Sequence, residues 1–334
     1  MNFWQKLKKP ISLLAPMDGV TDTVFRQIVV SAGKPDVLFT EFVPVDGLVS
    51  KGYERILASL KYTEAERPLV VQIWGAIPEN FYKVAQMLSK LGFDGIDINM
   101  GCPDESVIKK GAGSALINNP KLAVEIIEAT IKGANGLPVS VKTRIGFDTI
   151  DIESWVTTLL QTPISALTLH LRTKLEMSKA SARWEQISKA VKIRKKLKSK
   201  ALIIGNGDIK SLQQARKMVK KYGIDGVMIG EGIFKNVWLF NEKVDIKKAT
   251  PQKKIKLLVK HLRLFRKTWG NKKHFELMKK FVKCYVSNFN GAFASREKLM
   301  ATKSLDELIQ SSTLLTKSTT SWAQPHDRVK PAPP

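Results

Sequence analysis

A cysteine followed at once by a proline, just past an apolar run, can carry chemistry that the rest of the chain must position. In Gly95–Met100, Ile96 and Ile98 alternate with Asp97 and Asn99, the pattern of a buried strand. Gly101 breaks that run, and Pro103 prevents strand or helix from continuing through Cys102. The thiol is thereby held in a loop tied down on both sides. With an ordinary pKa of about 8.5 it is protonated at neutral pH and can serve as a general acid. A free cysteine is as often a small buried hydrophobe, and local chemistry leaves both readings open. Lys109, Lys110 and the small run Gly111-Ala112-Gly113-Ser114 follow, and these glycines let a backbone approach something closely. Two glycine turns, Gly205-Asn206-Gly207-Asp208 and Ile229-Gly230-Glu231-Gly232, expose backbone N–H groups suited to a phosphate; ordinary turn chemistry is the alternative for them.

The elements that must position these groups recur. Apolar runs lie at Ser12–Met17, Val37–Phe42, Leu69–Trp74, Gly95–Met100, Val139–Arg144, Ala166–His170, Leu202–Asn206 and Gly226–Ile229. Helix candidates between them include Asn80–Leu91, Lys121–Lys132, Trp184–Leu197 and Leu212–Tyr222. In the first, Phe81, Val84, Met87, Leu88 and Leu91 fall on one face. Strand and helix in alternation predict a parallel sheet, and eight repeats predict closure into a (β/α)8 TIM barrel, an α/β fold. A doubly wound sheet has fewer strands, and no G-x-G-x-x-G follows the first run. A barrel demands functional groups at the C-terminal strand ends, and Met17, Glu41, Gln72, Asn99 with Cys102, Lys142, His170, Asn206 with Asp208, and Gly230 stand there.

Past Phe240 the pattern changes to a small all-helical domain. Ile255, Leu258, Val259, Leu262 and Phe265 mark one helix, Phe275, Met278, Phe281, Val282 and Tyr285 a second, and Leu305–Leu315 a third. The expected organisation is a barrel over 1–240, a helical domain over 241–316 and a disordered tail over 317–334. Net charge is +25, from 55 Lys+Arg against 30 Asp+Glu, which suggests a polyanionic partner; lysine-rich codon usage is the plain alternative. Residues 241–316 hold 18 basic against 6 acidic side chains, a net +12, so the excess is concentrated there. Two distant cysteines, Cys102 and Cys284, give no disulfide framework and no metal spacing, so no metal is expected and a reducing cytoplasm fits. Cys284 reads as structural. The basic start of the chain precedes an apolar run too short for a signal peptide or a membrane span.

The wording D-I-N-M-G-C-P, then K-x-G-A-G-S-A-L, resembles the signature of the tRNA-dihydrouridine synthases, and the resemblance runs from about Leu13 to about Ile309. It implies an FMN-dependent oxidoreductase that reduces the 5,6 double bond of D-loop uridines in tRNA, with NADPH or NADH as transient reductant and tRNA as partner of a monomeric enzyme. Carried over residue by residue, it implies that Cys102 is the general acid. Pro16, Met17 and Asp18 become the first flavin contact, and Gln72 bonds the flavin ring. Lys142, in V-K-T-R-I-G, lies beside the ring's N1/O2 edge, where a cation stabilises the reduced anionic flavin. His170, in H-L-R-T, is a further contact. Asn206, Gly207, Asp208, Gly230 and Glu231 form the phosphate loops. Asn99 reads the uracil edge, and Lys109, Lys110 and Arg172 meet the RNA. Two departures stand out: Glu231 replaces the family's arginine and must turn its carboxylate away from a phosphate, and Leu171 replaces a glycine. Two other readings stay open, an FMN barrel acting on dihydroorotate or an enone, and an RNA-binding protein without catalysis.

Overall fold

The computed structural model describes residues 2–317; the tail expectation from residue 318 onward lies outside them, and Lys317 ends a helix. The strands are β1 Ile11–Leu14, β2 Leu38–Phe39, β3 Val43–Pro44, β4 Leu69–Trp74, β5 Gly95–Met100, β6 Val139–Arg144, β7 Ala166–His170, β8 Leu202–Asn206 and β9 Gly226–Ile229. All ladders are parallel, in the order β1-β9-β8-β7-β6-β5-β4-β2, with β3 also on β4. A parallel bridge between Leu13 and Val37 joins the two ends of that order. The result is a (β/α)8 barrel, as the alternation of apolar runs predicted.

The last six strands have the predicted bounds. The first is shorter, because Pro16 has no N–H for the ladder. The second is interrupted. Phe39 pairs with Val70 and Val43 with Ile73, four residues on one strand against three on the other. This one-residue bulge is satisfied by a side chain: Thr40 Oγ1 accepts from Gln72 N at 3.1 Å. The helix predicted at Asn80–Leu91 spans Pro78–Leu88, with Pro78 in its first turn. It buries Phe81, Val84, Ala85 and Leu88; Leu91 lies past its end and is exposed.

Trp4, in the short 3₁₀ turn Phe3–Lys6, packs with Ile11, Leu13, Val37, Val70, Ala166 and Ile204 as an apolar core in one end of the barrel. Side chains two residues apart share a strand face. One step past Val70, Ala166 and Ile204 the same interior face therefore carries Gln72, Thr168 and Asn206. The barrel lining changes from apolar to polar between those two layers, and the polar layer floors the site.

By compactness the chain divides into Met1–Arg26 with Pro35–Gly232, and Gln27–Lys34 with the residues from Ile233 onward. The second unit holds helices Pro251–Trp269, Lys279–Tyr285, Ala292–Met300 and Leu305–Lys317. Ala292–Met300 had no predicted counterpart, because Phe293 and Met300 lie on its exposed side and blur the apolar period. Phe275–Met278 forms a 3₁₀ turn before the helix expected to contain it. No described helix is long and apolar enough to cross a membrane.

Candidate active site

Cys102 follows β5 and is held through its main chain. Asn99 Oδ1 accepts from the N–H of Gly101 at 3.1 Å and of Cys102 at 2.9 Å. Ser114 N donates to the Cys102 carbonyl at 3.1 Å, and Arg144 Nε donates to the Gly101 carbonyl at 2.8 Å. Gly113, at φ +61, lies so close that a Cβ there would stand 2.9 Å from the Cys102 oxygen, which explains the small run after the lysines. The thiol itself is half-buried, and burial is the largest influence pushing its pKa up.

Beneath the loop runs a chain of buried amides. Asn99 Nδ2 donates to Gln72 Oε1 at 3.0 Å, and Gln72 Nε2 donates to Asp97 Oδ2 at 2.6 Å. Ser140 Oγ donates to Asp97 Oδ1 at 2.5 Å. Burial raises the Asp97 pKa to about 6, against the hydrogen bonds from Ser140 and Gln72 and the nearby Lys142. Gln72 and Lys142 stand two residues before their strand ends, inside the barrel mouth. Asn99 keeps one Nδ2 hydrogen beyond those it spends on the protein.

The mouth is cationic. Lys142 and Arg144 on β6 face His170 at the end of β7, with Arg172 just beyond it. Burial, then Arg144, lower the Lys142 pKa to about 8, with Asp97 opposing. Burial brings Arg144 down to about 10. Burial and these three cations hold His170 well below its ordinary value, so its ring is neutral. Arg172 Nη1 lies 3.2 Å from His170 Nε2; since arginine only donates, Nε2 accepts and the ring proton sits on Nδ1. Among the described residues, no hydrogen bond or ion pair engages the Lys142 ammonium. A crowded cation without a partner fits an anionic group in the mouth, and the donors around it fit the polar edge of a planar ring.

The dihydrouridine synthase family model matches residues 13–320. The chain belongs to the dihydrouridine synthase family. A probable tRNA-dihydrouridine synthase of Staphylococcus aureus is 43% identical over 309 residues, 92% of this chain and 93% of that one. A probable tRNA-dihydrouridine synthase 2 of Bacillus subtilis is 42% identical over 310 residues, covering 92% and 94%. Among solved structures, an old yellow enzyme homologue from Zymomonas mobilis aligns with TM-score 0.51 at 13% identity, over 72% of this chain and 90% of its own. A 2-naphthoyl-CoA reductase aligns with TM-score 0.55 at 12% identity, over 72% and 52%. At such identities the likeness is one of fold.

In this family member the other predicted residues divide into groups. The β1–β9 seam brings the first and last loops together: a Cβ on Gly230 would stand 3.6 Å from Ala15 Cβ and 3.9 Å from Met17 Sδ. Pro16 is buried there, and Asp18 and Glu231 are exposed. Asn206 Nδ2 donates to Met228 O at 2.9 Å, locking β8 to β9. Gly207 and Asp208 both have positive φ, +132 and +56. The Asp208 carboxylate is spent on Arg172 Nη2, at 2.6 Å, and Ala182 N, at 2.8 Å, so only the backbone of that turn is free to meet a phosphate. Arg172 is largely buried and pinned between His170, Asp208 and the Ala180 carbonyl. Lys109 and Lys110 are exposed beside the cysteine loop, with Lys110 Nζ 5.4 Å from the Trp74 ring centre. Cys284 belongs to the second unit, where it is buried and its thiol is pushed up to about 12.

Sequence reasoning missed Asp97, Ser140 and Arg144 as parts of the site. The signal was present. In V-S-V-K-T-R the alternate residues Ser140, Lys142 and Arg144 share one face, and Asp97 stands two residues before Asn99.

Proposed function

We propose that this chain is a tRNA-dihydrouridine synthase that saturates the C5–C6 bond of D-loop uridines, with FMN as its cofactor and NADPH or NADH as reductant. When bound, FMN supplies the hydride that goes to uracil C6. Lys142, Gln72 and His170, with Pro16, Met17 and Asp18, would hold the ring, and the backbone of Asn206-Gly207-Asp208 and Gly230-Glu231 its phosphate. Cys102 gives the proton to C5 and regains one from solvent, which balances the addition of two hydrogens. Burial favours this role, because a donor must carry its proton at working pH, and Cys102 is shifted in that direction. Asn99 has one N–H left over, a donor available to a uracil carbonyl. The pyrimidine must leave its stack to reach a barrel mouth. Lys109 and Lys110 bring positive charge to the RNA around it; Arg172, expected from the sequence to do the same, is buried and paired with Asp208, and it holds His170 and the glycine turn in place instead. The reading carries with it a monomeric cytoplasmic enzyme whose macromolecular partner is tRNA.

The observation that carries the proposal is the protonated, loop-clamped thiol beside the unpartnered Lys142 in a barrel mouth. The test is a deletion strain whose tRNA is mapped for dihydrouridine. Wild-type chain is expected to restore the lost sites and Cys102→Ala is not. Unchanged dihydrouridine in the deletion strain refutes the assignment.

A further inference from the structure

We propose that Asp97 is the positioning residue of this site: by accepting from Ser140 and from Gln72 it fixes the direction of the Gln72–Asn99 amide chain, and through it the Cys102 loop. The inference rests on the reading of that loop as the reacting one.

An amide side chain has a donor end and an acceptor end that occupy nearly the same space, so its direction is set by its partners. Gln72 is fully buried between Asp97 and Asn99. Asp97 is also fully buried, and its two oxygens face one donor each, Gln72 Nε2 and Ser140 Oγ. As a carboxylate it offers acceptors alone. It therefore obliges Gln72 to turn Nε2 toward it and Oε1 toward Asn99. Asn99 must then present Nδ2 to Gln72, which leaves Oδ1 for the N–H groups of Gly101 and Cys102. If Gln72 reversed, its Oε1 would face the carboxylate and its Nε2 would face Asn99 Nδ2, donor against donor; Asn99 could relieve that clash only by reversing too, and the Cys102 N–H would then lose its acceptor.

The strand ladder explains why this chain crosses the barrel floor. Gln72 pairs with Asp97 across β4 and β5, and Asp97 pairs with Ser140 across β5 and β6. Three neighbouring strands thus contribute one side chain each to a single row. Asp97 makes no hydrogen bond to the Cys102 loop itself, so its hold on that loop passes through Gln72 and Asn99, while its charge acts separately on Lys142.

The test reads the loop directly, without turnover. Amide hydrogen exchange is measured at Gly101 and Cys102, with the buried β8 amides reporting global stability. Asp97→Leu removes the acceptor and frees the Gln72 amide to reverse. Loss of about one net hydrogen bond should quicken local exchange at Gly101 and Cys102 roughly 2- to 13-fold beyond any change at β8. Asp97→Asn can still accept from Gln72 and donate to the Ser140 hydroxyl, so it should hold Cys102 exchange within about 2-fold of wild type, a rescue by the isosteric residue. If Asp97→Leu does not fold, Gln72→Leu interrupts the same chain one link later and should give the same local quickening. Unchanged relative exchange at Cys102 in whichever of these folds overturns the proposal. Local quickening with undiminished tRNA reduction supports the positioning role and removes the loop from the reaction, so the two readings fail separately.

Discussion

Replacing Cys102 by alanine should separate the two halves of the reaction. The hydrogen bonds that clamp the loop run through the main chain: the Cys102 N–H to Asn99, its carbonyl to Ser114, and the neighbouring Gly101 carbonyl to Arg144. Alanine keeps these three and gives up only the contact of the sulfur with the Asp104 backbone, so the loop should hold its shape and flavin binding should persist. What disappears is one proton donor. General acid catalysis contributes about 10²–10⁴-fold. At about 1.36 kcal/mol per decade this is about 2.7–5.4 kcal/mol of barrier, all of it in the tRNA half-reaction. Stopped-flow measurement of flavin reduction by NADPH should give a near wild-type rate, while reoxidation by tRNA should slow by that factor. Cys102→Ser keeps shape and a proton, but an alcohol is a far weaker acid than a thiol, so it should rescue little. Equal damage to both halves would make Cys102 structural, and normal tRNA reduction in Cys102→Ala would refute the acid role outright.

Two further outcomes follow from the charges. The Lys142 ammonium is the active form in this reading, and with a pKa of about 8 it is present below that value and lost as pH rises through it. Flavin reduction should therefore show an alkaline limb near pH 8 that vanishes in Lys142→Met along with most of the rate; full flavin loading with an unchanged rate and limb would remove Lys142 from the site. The net +12 of residues 241–316 should bind tRNA mainly through phosphates, so with about five contacts log K should fall against log salt with a slope of roughly −3.5 to −4.5, whereas a flat dependence would put the contacts elsewhere.

Much of this was legible in the chain because parallel strands buried on both faces read as apolar runs, and six such runs had the observed bounds. The thiol was legible too, since glycine before it and proline after it allow little but a loop. What stayed hidden depends on pairing between strands far apart in sequence. Nothing local joins Gln72 to Asp97 or Asp97 to Ser140; only the register of β4, β5 and β6 brings them together. The same limit applies to Asp208. Its place in a glycine turn suggested a phosphate contact, but Arg172, 36 positions away, takes its carboxylate. The bulge in the second strand was hidden because Thr40 supplies from its side chain the acceptor that the backbone ladder lacks.

The first loop rests on an ion pair whose removal has a signed consequence. Arg26 and Glu66 are both fully buried, with Arg26 Nε 2.6 Å from Glu66 Oε2. The guanidinium also donates to the carbonyls of Thr21 at 2.6 Å and Lys61 at 2.8 Å. Glu66 Oε1 accepts from Thr23 Oγ1, Thr63 N and Thr63 Oγ1. Thr21 in turn bonds both the N–H and the carbonyl of Met17, so the pair anchors the turn expected to meet the flavin. Breaking a buried pair from one side costs about 3–5 kcal/mol, because the charge left behind has no counterion. The two sides differ. A guanidinium cannot shed its proton, so Glu66→Gln should bear the whole penalty at every pH from 5 to 8. A stranded carboxylate can take up a proton, so Arg26→Met should lose less, and least at low pH. Urea midpoints of both variants at pH 5 and pH 8 decide the matter. Glu66→Gln should fall by more than about 1 M at both values, given a slope of about 1–3 kcal/mol per molar. Arg26→Met should recover toward wild type at pH 5. Equal, pH-independent losses in the two variants would mean that the hydrogen bonds to Thr21, Lys61 and Thr63, and not the buried charges, hold the turn.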